Sequence, residues 1–190
     1  VSLGIVSALR RGDKLDHVVT LGSLFIYSMP HFWLALMLIL IFSLGLGWLP
    51  ASQMHSVNAE QLSMLEYFWD LVKHMIMPVC VLGIASAAST VRYMRSSMLE
   101  VIRQDYIRTA RAKGLSERSV IWKHALRNAL LPLITIIGLS FPFLLSGAVI
   151  TEVIFAWPGM GRVTIDAIFS RDYPLIIANT FVAGSMVIGG

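Results

Sequence analysis

Glu152 is the acid that first invites a chemical explanation, because it closes a stretch free of Asp, Glu, Lys and Arg that runs from Asn128 to Thr151. An ionisable group at the edge of so apolar a segment is a functional hypothesis by default. A carboxylate there could meet a free amino group or a cation, and Glu152→Gln is then expected to lower uptake of a solute while preserving assembly. The alternative is an interfacial acid paired with Arg162 or Arg171. Ser140, Pro142 and Ser146 lie on the same stretch. Pro142 removes a backbone donor and should kink a helix there, and the two hydroxyls, with Pro142, are candidates to line a solute path. Other reactive groups are placed for packing. His31 follows Pro30, no pair of histidines has the spacing of a helix-face metal site, and no His-Glu-x-x-His occurs, so no metal ligands are assigned. Ser146-Gly147 lacks a preceding glycine and a partner histidine, and Cys80 is the one cysteine, so no intrachain disulfide can form. No Gly-rich phosphate loop with Lys and Ser/Thr is present. No catalytic constellation and no cofactor are assigned to this chain.

The elements carrying these groups belong in lipid. The 190 residues are 56% hydrophobic and 14% charged, where a soluble domain has about a quarter charged. Mean hydropathy is +0.73. Charge-free stretches run 17–59, 74–91, 128–151 and 173–190, and a helix needs about 20 mostly apolar residues to cross a bilayer core. The expected spans are 1–9 (partial), 20–47, 74–92, 129–152 and 173–190 (partial), in a single all-α transmembrane domain over residues 1–190. The opening VSLGIVSALRRG reads as the tail of a spanning helix, and FVAGSMVIGG stops inside an apolar segment; the natural protein is expected to be longer on each side.

Basic residues fix the expected orientation. Arg10, Arg11 and Lys14 fall in one connection, and nine of the thirty-six residues from Arg92 to Arg127 are Lys or Arg. An alternating path puts both groups on one face, the cytoplasmic one. Residues 48–72 and 153–172 then lie outside. Trp48-Leu49-Pro50 and Trp157-Pro158-Gly159 sit where spans should meet the outer headgroups. Pro158 presets the first corner of a turn, and Gly159 is expected at the positive φ of a type II second corner.

Residues 93–128 form the expected cytoplasmic loop. From Ser96 to Lys113 the spacing of Leu99, Ile102, Tyr106 and Ala110 predicts one amphipathic helix, with Glu100 and Arg103 able to pair. Gly114 is the expected left-handed terminator. Ser116 is the expected N-cap of a second helix, with Glu117 in its first turn. A basic juxtamembrane segment can merely neutralise anionic lipid, at about 1 kcal/mol per Lys or Arg, or satisfy the positive-inside rule. The apolar stripe and the capped corner are not explained by lipid electrostatics; they call for a protein partner. Nucleic acid is not among the expected partners, since no aromatic residues interleave with the basic ones to stack bases.

The island resembles the cytoplasmic loop of ATP-binding-cassette importer permeases, whose signature is Glu-Ala-Ala, three residues, then Gly. That register here reads Arg108-Thr109-Ala110, Arg111-Ala112-Lys113, Gly114. Arg108 stands in place of the glutamate and Thr109 in place of the first alanine, and Leu131-Pro132 falls more than a turn further from the glycine than in the general pattern. The stretch DYIRTARAKGLSERSVIWKHALRNALLP instead resembles the dipeptide, oligopeptide and nickel permease branch, as do GAVITEVIFAWPGMGRVTIDAIFSRDYPLI, SMPHFWLALMLILIF and GLGWLPAS. This resemblance implies an all-α polytopic bundle of the type I importer permease kind, with a cytoplasmic coupling helix, in a bacterial inner membrane. It implies a second, related permease subunit, two cytoplasmic ATPase subunits that hold ATP and Mg, an extracytoplasmic solute-binding protein and surrounding lipid. Coupling to the ATPase is expected at Arg108, Thr109, Ala110, Gly114, Leu115 and Ser116. The competing class, a secondary transporter or channel without ATP, calls for inverted repeats or broken helices with ion-binding residues at mid-membrane, and the sequence displays neither.

Overall fold

The computed structural model describes residues 1–145 and 148–189, and among them the regular structure is helical, with no strand. The helices are α1 (Ser2–Leu9), α2 (Lys14–Ser28), α3 (His31–Leu38), α4 (Met64–Val101), α5 (Asp105–Ala112), α6 (Glu117–Ser119), α7 (Leu126–Ala129), α8 (Leu131–Leu145), α9 (Val149–Ile154), α10 (Met160–Ser170) and α11 (Tyr173–Gly189). Wider π-helical turns occupy Ile39–Gly45 and Val120–Ala125, a local widening that recurs at functional sites. Two helical runs, Met64–Val101 and Glu117–Gly138, are long and apolar enough to cross a membrane, and α2 with the run His31–Gly45 adds a third if the pair is one broken span. The break is at Pro30, whose extended backbone (φ −61°, ψ 133°) caps α3. A proline there removes the donor that continuation from α2 would need.

The chain divides into two compact units, residues 1–28 with 85–138 and residues 29–84 with 139–190. In the first, Ile5 and Ala8 of α1, Met94 and Met98 of α4, Ile107 and Ala110 of α5, and Val120, Ala125, Ala129 and Leu133 beyond the corner share one core. Small and linear side chains dominate it, so the helices approach closely. The Ser97 hydroxyl also donates to the Ala129 carbonyl at 2.9 Å. In the second unit Ala35 of α3, Met77 and Val81 of α4 and Phe155 pack together, with Phe42, Leu49 and Ile154 around them.

The single amphipathic helix expected over Ser96 to Lys113 is two. α4 stops at Val101, residues 102–104 turn, and Gln104 caps α5 in an extended conformation (ψ 150°). The turn rotates the apolar face, so Ile107 rather than Tyr106 enters the core. Among the described residues Glu100 and Arg103 form no ion pair; their link is a turn bond from the Arg103 N–H to the Glu100 carbonyl.

Candidate functional site

Two places carry polar geometry that packing alone does not require. The first is the corner between α5 and α6. Gly114 has φ +78°, a conformation in which an L side chain is penalised. Its N–H donates to the Arg111 carbonyl at 2.9 Å, and the Leu115 N–H donates to the Ala110 carbonyl at 3.4 Å. That pair of bonds is the Schellman closure, which satisfies the last carbonyls of α5 and turns the chain sharply. A Cβ on Gly114 would meet nothing within 4 Å, so backbone conformation, not crowding inside this chain, demands the glycine. Across the corner the Arg111 guanidinium grips Glu117 with both arms, Nε to Oε2 at 3.1 Å and Nη2 to Oε1 at 2.7 Å. The bond to Glu117 raises the Arg111 pKa above its ordinary value.

The other corner residues divide by face. Ala110 is buried in the core. Thr109 turns its hydroxyl back to the Asp105 carbonyl at 3.0 Å. The Arg108 side chain is 73% exposed, with a loose contact to Asp105 at 3.4 Å. Leu115, at the apex, is 42% exposed. Ser116 occupies the N-cap position in an extended conformation, but its hydroxyl makes no capping bond; Glu117 is committed to Arg111 instead. The corner is a stiff turn with an apolar tip, ringed by exposed cations.

The second place is the clamp around Glu152 on α9. Its carboxylate is buried and accepts the Ala148 N–H on Oε1 at 2.8 Å and the Arg162 N–H on Oε2 at 2.9 Å. Arg162 is therefore its partner through the backbone; the guanidinium lies 3.9 Å from Asp166. A carboxylate at the first turn of α10 satisfies donors that the helix leaves free and meets the positive end of its dipole. The expected turn is corrected here. Gly159 has φ −130° and caps α10, while the left-handed residue is Ala156, at φ +49°. Glycine is needed at 159 for space: a Cβ there would collide with the Glu152 carboxylate. Ser140 and Pro142 lie within α8, and Ser146 lies outside the described residues.

Sequence reasoning missed two polar clusters. Asp16, buried on α2, receives Nε of Arg95 at 2.7 Å, Nη2 of Arg95 at 2.9 Å, the Ser7 hydroxyl at 2.5 Å and the Gly12 N–H at 3.0 Å. It ties α1, α2 and the basic end of α4 into one block. The one available signal was an acid standing immediately before the long uncharged stretch. In the other unit Asp70 of α4 accepts the Ser56 N–H at 2.8 Å and the Ser56 hydroxyl at 2.5 Å. His55 stacks on Tyr67, with ring centroids 4.2 Å apart, and shares a 2.9 Å hydrogen bond with its hydroxyl. His74 Nδ1 meets the Asp70 carbonyl at 2.8 Å. These contacts fold the loop after Pro50 onto α4. Among the described residues no group of three or more His, Cys, Asp or Glu could hold a metal ion.

Comparison with known proteins gives the lineage of the chain that carries this basic corner. The model of the binding-protein-dependent transport system inner membrane component matches residues 1–190. The chain belongs to this family. Such an inner membrane component has similar relatives in several bacteria. The oligopeptide transport system permease protein AppB of Bacillus subtilis is 44% identical over 190 residues, covering 100% of this chain and 58% of the relative. The di/tripeptide transport system permease protein DppB of Pseudomonas aeruginosa is 46% identical over 198 residues, covering 97% and 59%. The dipeptide transport system permease protein DppB of Escherichia coli K12 is 44% identical over 204 residues, covering 99% and 60%. The chain thus spans under two thirds of the length of these permeases.

Proposed function

We propose that this chain is the membrane core of a permease subunit in an ATP-driven importer of short peptides. The carrying observation is the Gly114 corner: a Schellman turn, braced by Arg111 and Glu117, that presents Leu115 among exposed cations. Its apolar tip suits a socket on a separate ATPase subunit. The bonded brace supports the tip as a lever, able to pass nucleotide-driven closure to the spans. ATP and Mg belong to that partner. A second, related permease completes the pathway, and an extracytoplasmic binding protein delivers the cargo. Peptide is the proposed cargo because the similar permeases named above are described as oligopeptide, dipeptide or di/tripeptide systems.

The solute path is assigned to the stretch from Ser140 to Ser146, beyond which Glu152 supports the end of the path predicted to face outward. Because the Glu152 carboxylate already accepts two backbone N–H groups, its contribution is to hold that end in shape.

Co-purification of the full-length permease with its ATPase subunits tests the corner. Gly114→Val forces a β-branched residue toward φ +78°, a region it almost never occupies, and is expected to abolish ATPase recovery. Gly114→Asn, which tolerates the left-handed region, is expected to retain most of it. Equal recovery with both variants would show that the ATPase docks elsewhere.

A further inference from the structure

We infer that the first unit carries a site for one anionic phospholipid, built where α5, the π-helical turn and the start of α8 converge. A cavity of about 440 Å³ is lined there by Tyr106, Lys123, His124, Arg127, Asn128 and Leu131. Among the described residues, Lys123, His124 and Arg127 meet no carboxylate within ion-pair distance. Arg111 at the neighbouring corner is by contrast paired with Glu117. Asn128 donates its side-chain amide to the Tyr106 hydroxyl at 2.8 Å and to the His124 carbonyl at 3.2 Å. With its oxygen accepting that bond, the Tyr106 O–H remains available to donate. The cavity therefore gathers two permanent cations, an imidazole and a phenol donor, the set that a phosphodiester recognises.

Position identifies the source of the phosphate. Arg127 is the last charged residue before the uncharged stretch that starts at Asn128, so the cavity straddles the water–hydrocarbon boundary. Directly beyond it Leu131, Ile134 and Ile137 are exposed, and Trp122 is exposed on the polar side. An apolar strip leading away from a basic pocket takes acyl chains, and a tryptophan at that level is the usual interfacial anchor. Basic pockets on the cytoplasmic side of membrane helices hold acidic lipid headgroups for this reason. A soluble protein could reach the cations but would leave the apolar strip without a partner. The site is separate from the Gly114 corner and does not depend on which solute is carried.

The test uses the full-length permease assembled with its partner subunits and counts retained lipid by native mass spectrometry. Phosphatidylglycerol, phosphatidylcholine and inorganic phosphate are the probes. Phosphatidylglycerol is expected to be retained over phosphatidylcholine, and inorganic phosphate is expected not to displace it. The double variant Lys123→Gln with Arg127→Gln should lower that retention at least about fivefold. The charge-preserving pair Lys123→Arg with Arg127→Lys should keep it, as should Arg118→Gln, which removes a cation outside the cavity. Loss in the charge-preserving pair would assign the effect to misfolding and overturn the site. So would equal retention of both lipids, displacement by inorganic phosphate, or unchanged retention in the neutralised variant. Loss of the ATPase subunits from the neutralised variant with lipid retention intact would give the patch to a protein instead.

Discussion

A single carboxylate holds the far end of the second unit together. Glu152 accepts two backbone N–H groups from residues four positions before and ten after it, and Gly159 leaves room for it. Glutamine can accept one of those N–H groups but turns its own amide donor toward the other, leaving a buried donor unmet. Glu152→Gln is therefore expected to destabilise the full-length permease by about 1–3 kcal/mol, read as a lower Tm in detergent. Gly159→Ala should act in the same direction through steric collision. Peptide uptake is expected to fall in step with the amount of folded transporter. Reduced uptake per folded molecule, with an unchanged Tm, would instead return Glu152 to the solute path. The sequence marks this acid as special but conceals its partners, because backbone N–H groups leave no trace in residue type. It also points to Gly159 for the wrong reason, since a glycine needed for close approach looks the same in sequence as one needed for positive φ.

At the scale of elements, the block made by α1, α2 and the basic end of α4 turns on one ion pair between buried Asp16 and half-buried Arg95. Asp16 and Arg95 meet through two bonds of 2.7 and 2.9 Å, and Ser7, Gly12 and Thr20 also donate to the acid. Removing Arg95 strands the buried Asp16 carboxylate, and removing the acid leaves a half-buried guanidinium without its partner. Asp16→Asn or Arg95→Met alone should cost about 3 kcal/mol or more, while the double variant should cost clearly less than the sum. Thermal unfolding of the four permeases checks this, and additive losses would mean that the two residues act independently. Seventy-nine positions separate the pair, so no local pattern announces it. The corner at Gly114 is the opposite case: every participant lies between Ala110 and Glu117, and local signals suffice to place it. The division of the 96–113 segment into two helices escapes the periodicity because Leu99, Ile102, Tyr106 and Ala110 keep helical spacing straight across the turn at 102–104. Tertiary burial of Ile107 and the extended cap at Gln104 decide the matter.

Across the whole molecule, the placement of charge sets the expected orientation. Twelve of the fifteen basic residues lie in two connections, 10–14 and 92–127, and the Gly114 corner and the lipid pocket both fall within the second or at its edge. In a cysteine-free background, Lys113→Cys is expected to react with a membrane-impermeant thiol reagent only from the cytoplasmic side, and Asn58→Cys only from the other. The reverse pattern would invert the permease and place the proposed ATPase docking corner outside the cell. Helical class and membrane residence are legible from composition alone, because lipid imposes both through one requirement, that backbone groups be paired within the segment. The cargo-contacting surface is not, since it depends on which faces of several helices converge. The turn after α9 carries torsional strain. Ala156 holds a left-handed conformation, and Gln53, whose N–H donates to the Phe155 carbonyl at 2.7 Å, holds another at φ +73°. Two non-glycine residues under torsional load, joined through one peptide unit, persist there because the packing around buried Phe155 over-determines them. Once a cavity such as Phe155→Ala loosens that packing, deuterium uptake should rise at 53 and 155–156 and stay unchanged at the Gly114 corner, where the same geometry is carried by a residue that adopts it freely.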